Sequence, residues 1–178
     1  MEVRFVPLDL ARLDGLRMEV LALPFFEDER PLKGVAGLCD WRLCGALSRL
    51  LIGGRVAGST DEVTLVPGRP RLPFEKLIMY GEGRADDFDA AAAERVTARV
   101  LSTLSGLRLR SLALSLPGRG NGRVTGAEAM RWFLQAIEQS DELDEVVIVD
   151  DAEAQRAMVP VLEAARRRVR VVRAASEP

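Results

Sequence analysis

The chain has 178 residues, 48% of them hydrophobic and 29% charged, a length and balance that suit one buried core. Lysine and arginine number 25 against 27 acidic residues, and this net charge of −2 lacks the basic excess of a general nucleic-acid binder. There is no histidine, which removes Ser-His-Asp and Cys-His catalysis, histidine-ligated metals and a histidine pH switch.

Residues 1–10, MEVRFVPLDL, carry Glu2, Arg4 and Asp9 and so lack the continuous apolar stretch of a secretory signal. No apolar run approaches the roughly 18 residues of a membrane span. A cytoplasmic chain with no membrane partner is expected. Residues 3–6 and 19–25 are short and apolar and read as strands. A helix is predicted over 37–52, with Leu38, Leu43, Leu47, Leu50 and Leu51 at helical spacing and Gly53-Gly54 at its end. Cys39 and Cys44 fall within that span about 140° apart on a helix, which predicts two buried thiols without a disulfide. Without a CxxC pair or a histidine, no zinc site is expected.

Residues 62–66 and 76–80 read as strands joined by PGRPRLP, a pair that can be antiparallel. A long helix is predicted over 86–104, acidic in its first turn and ended by Gly106. A strand over 111–116, a glycine-rich loop and a helix over 126–139 follow. Then come a strand over 145–149, a helix over 152–167 that Pro160 should kink or start, and a last strand over 169–172. Residues 174–178 read as a frayed tail. Strands alternating with helices predict a three-layer α/β/α sandwich, with helices on both faces of a mixed, mostly parallel sheet, as a single domain over 1–178.

The segment SLPGRGNGRVTGAE concentrates the chemistry. Gly118, Gly120 and Gly122 alternate with Arg119, Asn121 and Arg123 directly after a strand, and Thr125 with Glu128 spells a capping box for the next helix. Glycines admit close backbone approach, exposed amides and a helix N-terminus attract anions, and the arginines add charge. The loop is neither a Walker A sequence nor GxGxxG, and a ligand-free connection remains open. A second glycine turn, Gly34-Val35-Ala36-Gly37, also lies between a strand and a helix, so the two turns are expected to face one another across a cleft. Met130, Phe133, Leu134 and Ile137 form one core stripe, and Trp132 is expected to be partly buried against a loop. Trp41 is expected to anchor its helix to the sheet. The acidic pairs Asp86-Asp87 and Asp150-Asp151 read as helix starts, and the arginines at 166–170 as a solvated helix end.

In this order the segments resemble the N-terminal domain of leucyl aminopeptidases. The resemblance rests on EVLALPFFEDERPLKGVAGLCDWRLCGALSRLL, on the stretch ending KLIMYGEG and on the helix with its alanine run, and covers residues 20–172. It implies a macro-domain-like fold. It also implies that metal site and catalytic residues belong to a C-terminal domain with motifs such as NTDAEGR, which this sequence does not contain, so a stand-alone chain without that domain and without cofactors is expected. Macro domains bind ADP-ribose between two glycine loops, and Gly34 to Gly37 and Gly118 to Gly122 are similar to these. The Asn-Ala-Ala-Asn segment typical of macro domains is absent, with Leu21-Ala22-Leu23-Pro24 in its place. Two readings follow: a non-catalytic domain binding an ADP-ribose-like nucleotide anion, or a protein-interaction or self-association module with an unused cleft. An aminopeptidase-related enzyme is the third.

Overall fold

The computed structural model describes residues 2–120, 122–137, 143–165 and 170–173. Chain order is β1 (Glu2–Pro7), α1 (Leu10–Asp14), β2 (Val20–Phe25), α2 (Gly34–Arg42), α3 (Ala46–Ile52), β3 (Val63–Pro67) and β4 (Lys76–Gly81). A single 3-10 turn at Ala85–Asp87 precedes α4 (Ala90–Gly106), β5 (Ser111–Leu114), α5 (Gly126–Ile137), β6 (Glu145–Asp150), α6 (Ala152–Ala164) and β7 (Arg170–Arg173). The strands form one sheet in the order β3-β4-β2-β5-β6-β1-β7, antiparallel between β3 and β4 and parallel at the other pairings.

Alternation along the buried strands builds two cores, because successive side chains point to opposite faces. Val146 and Ile148 join Val96, Val100, Met130, Phe133 and Met158 on the face covered by α4, α5 and α6. Val147 and Val149 join Leu13, Val35, Cys39 and Leu47 on the face covered by α1, α2 and α3. This is the expected three-layer sandwich. Parallel register aligns Phe25 with Gly81 at the ends of β2 and β4, and Ala22 with Leu114 on β5. The loops after these three strands therefore leave the same edge of the sheet, where ligands of open α/β folds sit.

Several element boundaries differ from the sequence reading, each for a local reason. The helix predicted over 37–52 is two helices, broken where Cys44 and Gly45 take φ of 54° and 77°. Asp40 stabilises the break by accepting the amides of Leu47 and Ser48 at 2.8 and 3.1 Å. Cys44 is consequently exposed rather than buried, while Cys39 is buried and its thiol is pushed up to about 12 by desolvation. Trp41 is 66% exposed, with Arg42 over its ring at 5.7 Å, so it does not anchor α2 to the sheet. The long helix begins at Ala90, capped by Asp89, whose side chain accepts the Ala92 amide; Asp86 and Asp87 stand in the turn before it. Short α1 escapes the sequence reading, having only Leu13 buried and an Asp9 cap. Pro160 sits inside α6 rather than at its start. The predicted tail over 174–178 and the arginines at 166–168 lie outside the described residues.

Candidate functional site

The loops after β2 and β4 and the segment before β3 are laced together by backbone hydrogen bonds. Glu82 donates its amide to Phe25 O at 3.0 Å, Glu27 to Gly83 O at 2.8 Å, and Gly83 to Gly58 O at 2.9 Å. Phe26 meets Phe88 edge-on with centroids 5.2 Å apart, and Phe88 tilts against half-buried Trp132 at 6.4 Å. Trp132 thus packs on a neighbouring loop, as expected.

The two glycine turns do approach one another, and a carboxylate lies between them. Glu29 accepts the Lys33 amide, immediately before Gly34, at 2.7 Å through Oε1. Its Oε2 faces Gly120 so closely that a Cβ there would stand 2.7 Å away. A second acid grips the later turn: Glu82 Oε1 accepts the Gly118 amide at 2.6 Å. Glu29 and Glu82 are 5% and 4% exposed, and Oε2 of each is buried with no hydrogen-bond partner among the described residues. Burial raises the Glu29 carboxyl against the opposing pull of the Lys33 amide. Burial also pushes Glu82 up to about 8, with the Glu29 charge adding to the rise and the Gly118 hydrogen bond opposing it.

The remaining predicted site residues divide sharply. Gly118 has φ of +80° and a Cβ there would stand 2.6 Å from both Phe88 Cε1 and Val124 Cγ2, so only glycine fits. Gly122 also has positive φ, with open space beside it. Gly34 opens α2 with φ of +53°. Val35 and Ala36 are buried in the core beside Cys39, and Gly37 lies within α2, where a Cβ would meet Leu32 O at 2.7 Å. Their side chains serve packing. Arg119 is a bidentate partner of Asp150 and also donates to Val124 O at 2.6 Å. Arg123 pairs with Asp86. Asn121 lies outside the described residues. Thr125 and Glu128 form the predicted capping box, the Glu128 amide donating to Thr125 Oγ1 and the Thr125 amide to Glu128 Oε2.

The arrangement therefore presents carboxylates where an anion would need donors. Two amides of the cleft, Lys33 and Gly118, already bond to acidic side chains, and both arginines are paired with aspartates. Among the described residues, no three of His, Cys, Asp and Glu are grouped to hold a metal ion. The acids were not identified from sequence; the one available signal was an acid set between glycines, Gly81-Glu82-Gly83, at the end of a strand. Among the described residues, no helix is long and apolar enough to cross a membrane.

The model of the cytosol aminopeptidase family N-terminal domain matches residues 22–146. A probable cytosol aminopeptidase of Thermosynechococcus vestitus is 29% identical over 132 residues, which are 73% of this chain and 26% of that protein. The chain thus spans about a quarter of the length of that relative. A tomato leucine aminopeptidase mutant is similar with a TM-score of 0.57 at 12% identity, over 90% of this chain and 35% of that one. The Oceanobacillus iheyensis macrodomain with ADP is similar with a TM-score of 0.64 at 18% identity, over 86% of this chain and 87% of that one.

Proposed function

Because this chain belongs to the N-terminal-domain family of the cytosol aminopeptidases, and its fold is that of the macrodomains, we propose that it is a non-catalytic macro-like domain that works by docking to protein. In this reading residues 1–178 act as one unit in the cytoplasm, and the cleft between the glycine turns is closed from within. The observation that carries it is the Glu29 carboxylate seated against both turns, with Glu82 on the Gly118 amide. A diphosphate entering there would meet the Glu29 charge and amides already bonded to acids, and like charges at close range repel in a low-dielectric site.

Support for docking comes from the opposite chemistry on the surface. Trp41 at 66% and Ile52 at 86% exposure sit on consecutive helices, and a groove of about 640 Å³ beside Trp41 is lined by Asp40, Arg42, Cys44 and Arg71. Exposed aromatic and arginine side chains are the residue types that dominate protein contacts. The second reading, an ADP-ribose-like anion in the cleft, is favoured by two glycine turns at the edge where ligands of such sheets sit.

Calorimetric titration with ADP-ribose at low salt, with AMP and phosphate as controls, separates the two. The expected result is no saturable heat and no thermal shift; saturable binding specific to ADP-ribose overturns the docking reading. Sedimentation equilibrium tests docking between copies directly. Trp41→Ala is expected to weaken self-association by about tenfold or more, the loss a central aromatic contact carries. A strictly monomeric wild-type protein that also retains no partner in cell extract sinks the proposal.

A further inference from the structure

The glycine turn at the sheet edge is held by two acids, each with a buried carboxyl oxygen that has no hydrogen-bond partner among the described residues. Glu82 emerges directly from β4, so the sheet fixes its backbone, and its carboxyl reaches across to the Gly118 amide at 2.6 Å. The other carboxyl oxygen is buried without a partner among the described residues. Glu29 braces the same turn at Gly120 from the loop after β2, again with a buried, unpartnered oxygen.

The charged groups around the two acids have other engagements. Arg30 donates to Phe26 O, Glu29 O and Ala57 O. Arg119 holds Asp150, and Arg123 pairs with Asp86. Asp28 accepts the Ala85 amide, and Glu62 accepts the amides of Ala57, Gly58 and Ser59. Lys33, Glu27 and Arg84 are exposed. Lys33 and Arg30 act electrostatically on Glu29, favouring its charged form, whereas Glu29 is the charge that bears on Glu82. A buried carboxylate with a single amide donor, facing another carboxylate, is costly, so the closed turn keeps Glu82 as the neutral acid.

We propose that Glu82 and Glu29 form a proton-controlled latch: the turn at Gly118–Gly120 stays closed on the sheet edge while Glu82 carries its proton and opens as the proton is lost. In the open turn Glu82 is hydrated and ionises as an ordinary glutamate, near pH 4.5. Each pH unit above that value then favours opening tenfold, by proton linkage. The rise stops at about 8, where Glu82 ionises in the closed turn as well.

The test is hydrogen exchange at the Gly118 amide followed by NMR from pH 6 to 9.5, expressed as protection relative to the intrinsic rate. In the wild type, protection is expected to fall about tenfold per unit to roughly pH 8 and then level off. Glu82→Gln keeps an acceptor for the amide but has no proton to lose, so its protection should be flat across the range. Glu29→Gln removes the facing charge, which lets Glu82 ionise more readily in the closed turn, so the levelling point should move to lower pH. Flat protection in the wild type overturns the latch. So does an equal fall in Glu82→Gln, or a Glu29→Gln profile that matches wild type. If Glu82→Gln does not fold, the displaced Glu29→Gln profile still decides the question.

Discussion

Arg119→Ala is expected to destabilise the protein by about 3–5 kcal/mol, the loss associated with stripping one partner from a buried ion pair. Arg119 and Asp150 have side chains only 10% and 7% exposed, and the guanidinium meets both carboxylate oxygens, at 2.7 and 3.0 Å. It also donates to Val124 O and, at 3.3 Å, to Asp151, so it ties the glycine turn to the end of β6 and the start of α6. Without it the Asp150 carboxylate, 7% exposed, keeps the Asp151 amide at 2.8 Å as its one hydrogen bond among the described residues. Arg119→Lys should recover part of the loss, because an ammonium cannot bridge a carboxylate and a carbonyl as the planar fork does. The double variant Arg119→Ala, Asp150→Ala should lose less than the sum of the two single changes, since removing both charges leaves none orphaned. Urea unfolding of the wild type and the four variants measures this. A loss below about 1 kcal/mol in Arg119→Ala would mean that water replaces the guanidinium.

Gly81→Ala should lose about 3 kcal/mol, the upper end of ordinary overpacking. A Cβ at Gly81 would overlap the Ser59 carbonyl oxygen and stand 2.7 Å from the Gly58 carbonyl carbon. These are backbone atoms, held by the Gly81 amide on Glu62 O and the Gly83 amide on Gly58 O, both at 2.9 Å, so neither side can yield cheaply. Any shift also displaces Glu82, and protection at Gly118 should fall with stability. Gly106→Ala is the contrast. Gly106 ends α4 with nothing within 4 Å of a built Cβ and no positive φ, so the change should stabilise by about 0.5–1 kcal/mol through reduced freedom of the unfolded chain. Thermal unfolding followed by circular dichroism gives both signs. A neutral Gly81→Ala would show that the segment at 58–59 moves aside.

The layers, the sheet and most of its strands are legible in the amino-acid sequence because their signals are local. Apolar runs such as EVVIV have both faces buried, and Thr125 with Glu128 finds its capping partners within three residues. Glycine placement also marks the turn at Gly118, where no side chain fits. The break between α2 and α3 is not legible, since it rests on a cysteine in left-handed conformation and on an aspartate capping residues seven and eight positions away. Nor is the exposure of Trp41 legible, because hydrophobicity says that a ring favours burial but not that the core has room for it.

The character of the cleft belongs wholly to tertiary structure. Read as sequence, the turn at Gly118 to Arg123 is a cationic loop at a helix start, suited to an anion. Folded, it gives Arg119 to an aspartate 31 residues away and the Gly118 amide to a glutamate 36 residues away. Only parallel pairing of β4, β2, β5 and β6 brings those acids to the edge where the turn sits. Propensity and periodicity are properties of short segments and are written in the chain. The sign of a site's charge depends on which distant side chains the sheet delivers to it, and the fold alone decides that.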